Sequence, residues 1–110
     1  MEQHAIIIAN AQGVIQFWST GAVSLFGHAA IDAVGRKLDL VVPHDLREMH
    51  CKGFGHAMQT ASMTNEGAFF DIPGLRSDGQ VRPLRGQLRL LRDEDSKAIG
   101  AMAIFTAAAG

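Results

Sequence analysis

His50 is the side chain in this sequence best set for chemistry. It lies in the stretch PHDLREMHCKGFGHAMQT, Pro43 to Thr60, where Leu46, His50, Phe54 and Met58 recur every four residues with Met49 and Ala57 beside them. That spacing predicts one face of a helix. It sets an imidazole in the middle of an apolar stripe, with Arg47, Glu48 and Lys52 falling mostly on the other side. A polar ring taken out of water needs a partner. A backbone carbonyl, another side chain or a metal would each serve, and neutral imidazole is a common metal ligand. Cys51 follows, about 100° further round the helix. A thiolate is also a metal ligand, but the angle turns it away from an ion on His50. A small, partly buried structural role is expected for it.

Several elements must hold this helix. Pro43 cannot continue an earlier helix and biases Val42 towards an extended conformation. Asp45 with Glu48 three residues on forms an acidic version of the capping box. Upstream, Ala5 to Ala9 reads as a buried strand rich in β-branched residues. Asn10 to Gly13 is a turn, and Val14 to Trp18 a second strand. Ser19 or Thr20 caps a short helix through Phe26, which Gly27 stops. His28 to Val34 is a further helical turn ended by Gly35, and the apolar Leu38 to Val42 leads into the central helix.

Beyond Thr60 the period falls to two. Ala61 to Asn65 is a loop and Glu66 to Leu75 a strand carrying Phe69, Phe70 and Ile72. Asp78-Gly79 marks a hairpin turn. Val81 to Leu91 is a strand in which Arg85, Gln87 and Arg89 alternate with Leu84, Gly86, Leu88 and Leu90, one wet face and one dry. Pro83, lacking an N–H, suits a strand entry or edge. Arg92 to Lys97 is a charged turn. Ala98 to Phe105 is the last strand, with Ile99, Ala101, Ala103 and Phe105 on one face, and the Ala-Ala-Ala-Gly tail is expected to fray. Strands at both ends with helices between them predict an α+β domain. If the five strands share one antiparallel sheet, the first hairpin must meet the last, and the short helices and the longer one cover its dry face.

The chain has 110 residues, one domain's worth over residues 1–110. With 47% hydrophobic residues it can form one core, and a net charge of −1 speaks against nucleic acid as the main partner. The longest apolar run, Ala5 to Ala9, is far too short to span a bilayer. Glu2 and His4 sit where a signal peptide would carry positive charge. One cysteine excludes an internal disulfide and fits a reducing compartment. The expected location is cytoplasmic, with no membrane partner.

The segments GVIQFWSTGAVSLFG, Val34-Gly35-Arg36, Val42-Pro43 and RSDGQVRP together resemble the PAS domain over nearly the whole chain. The Val42-Pro43 entry and the Asp78-Gly79 turn are general to that family. LREMHCKGF is more specific, and is similar to the helix of haem-binding oxygen-sensor PAS domains of the FixL and Dos type. The segment from His50 to Asp78 aligns to the FixL-type pattern without a gap. The resemblance implies a PAS fold and a haem b (iron protoporphyrin IX) cofactor, with His50 as proximal iron ligand. It puts His56 where the family directs a basic side chain at a haem propionate. Phe70 stands in place of the family's oxygen-binding arginine, and Phe69 in place of the Dos-type methionine. Phe54, Phe69, Phe70, Leu88 and Met102 are then expected around the cofactor.

The function implied is a sensor for a diatomic gas (O2, CO or NO) or for redox state. It would signal through a homodimer or an effector such as a kinase, a cyclic-nucleotide enzyme or a transcription regulator. An apolar distal wall gives O2 no hydrogen bond, so weak O2 binding or ready autoxidation is expected beside good binding of CO and NO. The alternative is a non-haem PAS domain that binds a small apolar metabolite or serves as a dimerisation module. The cysteine-centred NCRFLQ-like motif of flavin photoreceptors is missing. No phosphate loop, paired carboxylates or Ser/His/Asp set marks an enzyme.

Overall fold

The computed structural model describes residues 4–107. Of the Ala-Ala-Ala-Gly tail expected to fray, Ala107 is instead the last residue of a strand, while 108–110, and the leader reading at Glu2, lie outside the described residues. Asn10 makes the first turn: its Oδ1 accepts from the backbone N–H of Gln12 and of Val14, both at 3.0 Å, while Gly13 takes φ 77°. This joins β1 (Ala5–Asn10) to β2 (Ile15–Trp18). Ser19 then does two things. Its Oγ accepts from Ala22 N to cap α1 (Thr20–Phe26), and from Ile6 N at 2.8 Å to pin that cap to β1.

After α1 come a single turn, α2 (Ala30–Ala33), and two 3-10 turns, Leu38–Val41 and His44–Leu46. The longer helix, α3, runs Arg47–Thr60 and ends on Ala61 in the left-handed region. Three strands follow, β3 (Phe70–Leu75), β4 (Val81–Arg92) and β5 (Ala98–Ala107). The sheet order is β2-β1-β5-β4-β3, antiparallel throughout, so the first hairpin does meet the last.

Register sorts the side chains into two faces, because alternate residues point to opposite sides. Ala5 and Ile7, Ala103 and Phe105, Leu84, Gly86 and Leu88, and Phe70 and Ile72 share the helix side. The core gathers there around Phe26. Its ring meets Trp18 and Phe105, each with centroids 5.6 Å apart, and Trp18 Nε1 donates to His28 O at 2.9 Å. Gly86 makes room for this cluster, since a Cβ there would lie 2.8 Å from the Phe105 ring.

Five expectations are corrected. Asp45 does not cap α3: a 3-10 turn intervenes and Leu46 holds the cap position with no side-chain bond. Glu66 to Phe69 stay out of β3, because Glu66 is taken by an ion pair with Arg92. Met49 is 71% exposed, outside the apolar stripe. Ile99 is also exposed, cut off from Ala101 by the irregularity between β4 and β5 at Leu91/Arg92. Met102 pairs with Ile8 and Arg89, which puts it on the sheet face away from the helices. Pro83 lies opposite Pro73 at the third position of β4, close to the strand entry that its type suits.

Candidate functional site

The first turns of α3 carry His50 into a half-buried position, its ring stacked on Phe54 with centroids 6.2 Å apart and planes at 25°. Phe54 in turn lies against the β1–β2 turn, 3.7 Å from where a Cβ on Gly13 would stand. Burial lowers the pKa of His50 below its ordinary 6.5, and the nearby Asp39 carboxylate partly opposes this. Neutral imidazole is therefore the favoured form at neutral pH, and that is the form that binds a metal.

Asp39 comes from the 3-10 turn before α3. A carboxylate oxygen of Asp39, a ring nitrogen of His50 and Sγ of Cys51 all lie within 4.8 Å of one another. Cys51 is exposed, and its thiol donates to Asp39 Oδ1 at 3.7 Å. The three offer oxygen, nitrogen and sulfur donors to one point. Asp39 escaped the sequence reading because that segment reads only as an apolar lead-in to the helix. Cys51 was read as turned away from His50, yet both reach the same carboxylate.

The other predicted site residues divide. Phe70 and Leu88 are on the helix side of the sheet and remain partly uncovered, whereas Leu84 and Leu90 on the same strand are buried. The cause is the seating of α3, which packs chiefly on β5 and on the preceding 3-10 turn. Phe69 precedes β3 and is 47% exposed. His56 is exposed on α3. Met102 is excluded from this group by the sheet itself.

The far end of α3 is clipped to the sheet. Arg92 forks onto Glu66, Nη2 to Oε1 at 2.7 Å and Nη1 to Oε2 at 2.9 Å, and also donates to Ala61 O at the helix end. Glu66 Oε2 accepts from Leu90 N as well. The Arg92 and Leu90 donors pull the Glu66 pKa down to about 2.

A family model described as PAS fold matches residues 3–108. Sensor protein FixL of Bradyrhizobium diazoefficiens is 29% identical over 80 residues, which are 73% of this chain and 16% of that protein. This chain thus spans about a sixth of that relative's length. Among solved structures, a PAS domain from Colwellia psychrerythraea superposes with TM-score 0.77 at 20% identity, covering 93% of this chain and 83% of that one. The PAS-B domain of Drosophila melanogaster Cycle (W398A), with bound glycerol, gives TM-score 0.70 at 14% identity, covering 92% and 96%. At these identities the two structures speak for the fold alone.

Proposed function

The chain belongs to the PAS fold family, and from that premise we propose that it is a haem-binding sensor domain for a diatomic gas or for redox state. The observation that carries the reading is His50: a half-buried imidazole held neutral by its surroundings, at the place where the FixL-type pattern has its iron ligand. When bound, the haem supplies an iron with a position for the gas.

The residues present fit that group. His50 offers one ring nitrogen to iron. Asp39, beside it, is placed to orient the ring and raise its basicity, as partner carboxylates do for ligating histidines. Phe54 fixes the ring plane by stacking. Phe70 and Leu88, apolar and only partly covered on the helix side of the sheet, would supply the wall around it. His56, exposed on the same helix, is the group to meet a propionate. Phe70 has no proton to donate, so O2 gains no hydrogen bond from it. Met102 and Phe69 are left out of this set, the first by its face and the second by its exposure.

Signalling requires that the gas bias a conformational equilibrium by binding one state better. Helix α3 is suited to move, because Gly53 and Gly55 lie inside it and weaken it by about 1 kcal/mol each relative to alanine. The outer sheet face carries Ile6, Ile8, Phe17, Met102 and Ile104, with Phe17 46% exposed, and a second copy of the domain is the partner proposed for it. The effector, of the kinase, cyclic-nucleotide or transcription class, belongs to a longer protein of the FixL kind. No described helix is long and apolar enough to cross a membrane.

The second reading is a non-haem domain taking a small metabolite on the same wall. What favours it is the partly uncovered Phe70 and Leu88 on the helix side, which a small apolar ligand would also cover. Titration of the purified chain with haemin separates the two. The haem reading expects a Soret band that saturates at one equivalent; haemin that stays free in solution leaves the metabolite reading standing.

A further inference from the structure

We propose that the cleft between the 3-10 turns and the β3–β4 hairpin is a second ligand site, for a small metabolite bearing two or more oxyanion groups. The cleft is open and holds about 550 Å³, within the range of small-molecule sites. Arg36, Lys37, Arg47 and Arg76 line it, against the single carboxylate of Asp39. Four cations and one anion leave +3 on one wall of a chain whose net charge is −1. Such concentration in a concave, partly apolar setting focuses field on an anion. Leu40 and Leu75 supply the apolar part of the lining.

Backbone carbonyls take part of these donors, as where Lys37 Nζ gives to Gln12 O at 3.2 Å, but carboxylates take few. Among the described residues, none of Arg36, Lys37 and Arg47 has a carboxylate within ion-pair reach. Arg76 meets the Asp78 carboxylate at 3.6 Å and gives Nη1 to the Leu25 carbonyl, while its Nε is buried with no hydrogen-bond partner. Their backbones are also fixed in advance. Arg36 O accepts from Ile15 N at 2.8 Å, Lys37 bridges to Val14, and Leu38 N donates to Gly13 O at 2.9 Å. Arg47 is steadied by Nε donating to Val42 O at 3.2 Å. Its Nη1 lies 2.9 Å from His44 Nδ1. Because a guanidinium only donates, that Nδ1 accepts and Nε2–H is left as a further donor. Preset guanidinium forks are matched to carboxylate and phosphate oxygens.

The site is separate from the one proposed for haem. His50 does not line it, and it shares with that region only Asp39. The chemistry shared by phosphates and carboxylates is what the cations read, so the test uses one probe of each kind. Sodium pyrophosphate and sodium citrate are titrated calorimetrically into the 110-residue chain, with sodium chloride added to hold ionic strength constant. Saturable one-to-one binding of either probe is expected, and the tighter one names the source. The Arg36→Gln/Lys37→Gln pair, both exposed and both held through backbone, should weaken binding about tenfold or more, the loss of at least one charge-assisted hydrogen bond. Arg85→Gln removes a charge from the far sheet face and should leave affinity within about twofold, since exposed charges at a distance are screened. His50→Ala should bind like the parent whether or not haem binds. Heats no larger than those of the chloride control, or equal affinity in the Arg36/Lys37 variant and the parent, would overturn the proposal.

Discussion

Glu66 and Arg92, 26 residues apart in sequence, meet as a two-pronged pair at 2.7 and 2.9 Å and tie the end of α3 to β4. Glu66 has its pKa drawn from 4.5 to about 2, first by Arg92 and then by the Leu90 N–H. A carboxylate whose folded pKa is depressed stabilises the fold above its unfolded value. That contribution fades as pH falls from about 4.5 towards 2. Glu66→Gln should therefore flatten the fall in chemical-denaturation stability across that window. An unchanged acid limb would show that the pair does not secure the helix.

His50 titrates with the opposite group type but the same pH sense. Burial lowers its pKa below 6.5, so the folded chain favours the neutral ring, and stability is full above 6.5 and lost as pH falls through the folded value. Asp39 works against the burial. Asp39→Asn should therefore lower the pKa further, read from the His50 ring protons by NMR titration. A rise on that substitution would contradict the placement of the two groups.

Gly53 and Gly55 have nothing within 4 Å of where a Cβ would stand, and neither has a positive φ. Replacing either with alanine should raise unfolding free energy by about 1 kcal/mol, the usual helix-propensity gain. Urea denaturation measures it. A loss of stability would mean that α3 is packed more tightly than its surroundings indicate.

Phe17 is 46% exposed, opposite Ile8 on the outer sheet face. Phe17→Glu should turn a dimer into a monomer in sedimentation velocity while leaving the circular dichroism spectrum unchanged. A parent chain that is monomeric at every concentration would remove the second copy from the account.

Local signals were easily read. Asn10, Ser19, Gly27 and Asp78-Gly79 each act on backbone groups within a few residues, and each makes the turn or cap its type demands. Asp45 is the local exception, since a 3-10 turn takes it before α3 begins; the other failures are of longer reach. Period-two alternation in β5 fits apolar residues on both faces, Ala103 and Met102 alike, and only the pairing with β1 and β4 decides between them. Glu66 looked like a strand residue because its partner lies a hairpin away. Asp39 joins His50 only once the 3-10 turn folds against α3, and the basic cleft draws on segments that no sequence window contains together.

The central claim is that His50 holds iron. Absorption spectra of the ferric and ferrous protein, recorded beside His50→Ala after identical haemin loading and desalting, test it most directly. The account predicts a Soret band that stays with the parent protein and is lost or shifted in the variant. A parent and a variant with the same retained spectrum, or a parent that retains no haem, would contradict it.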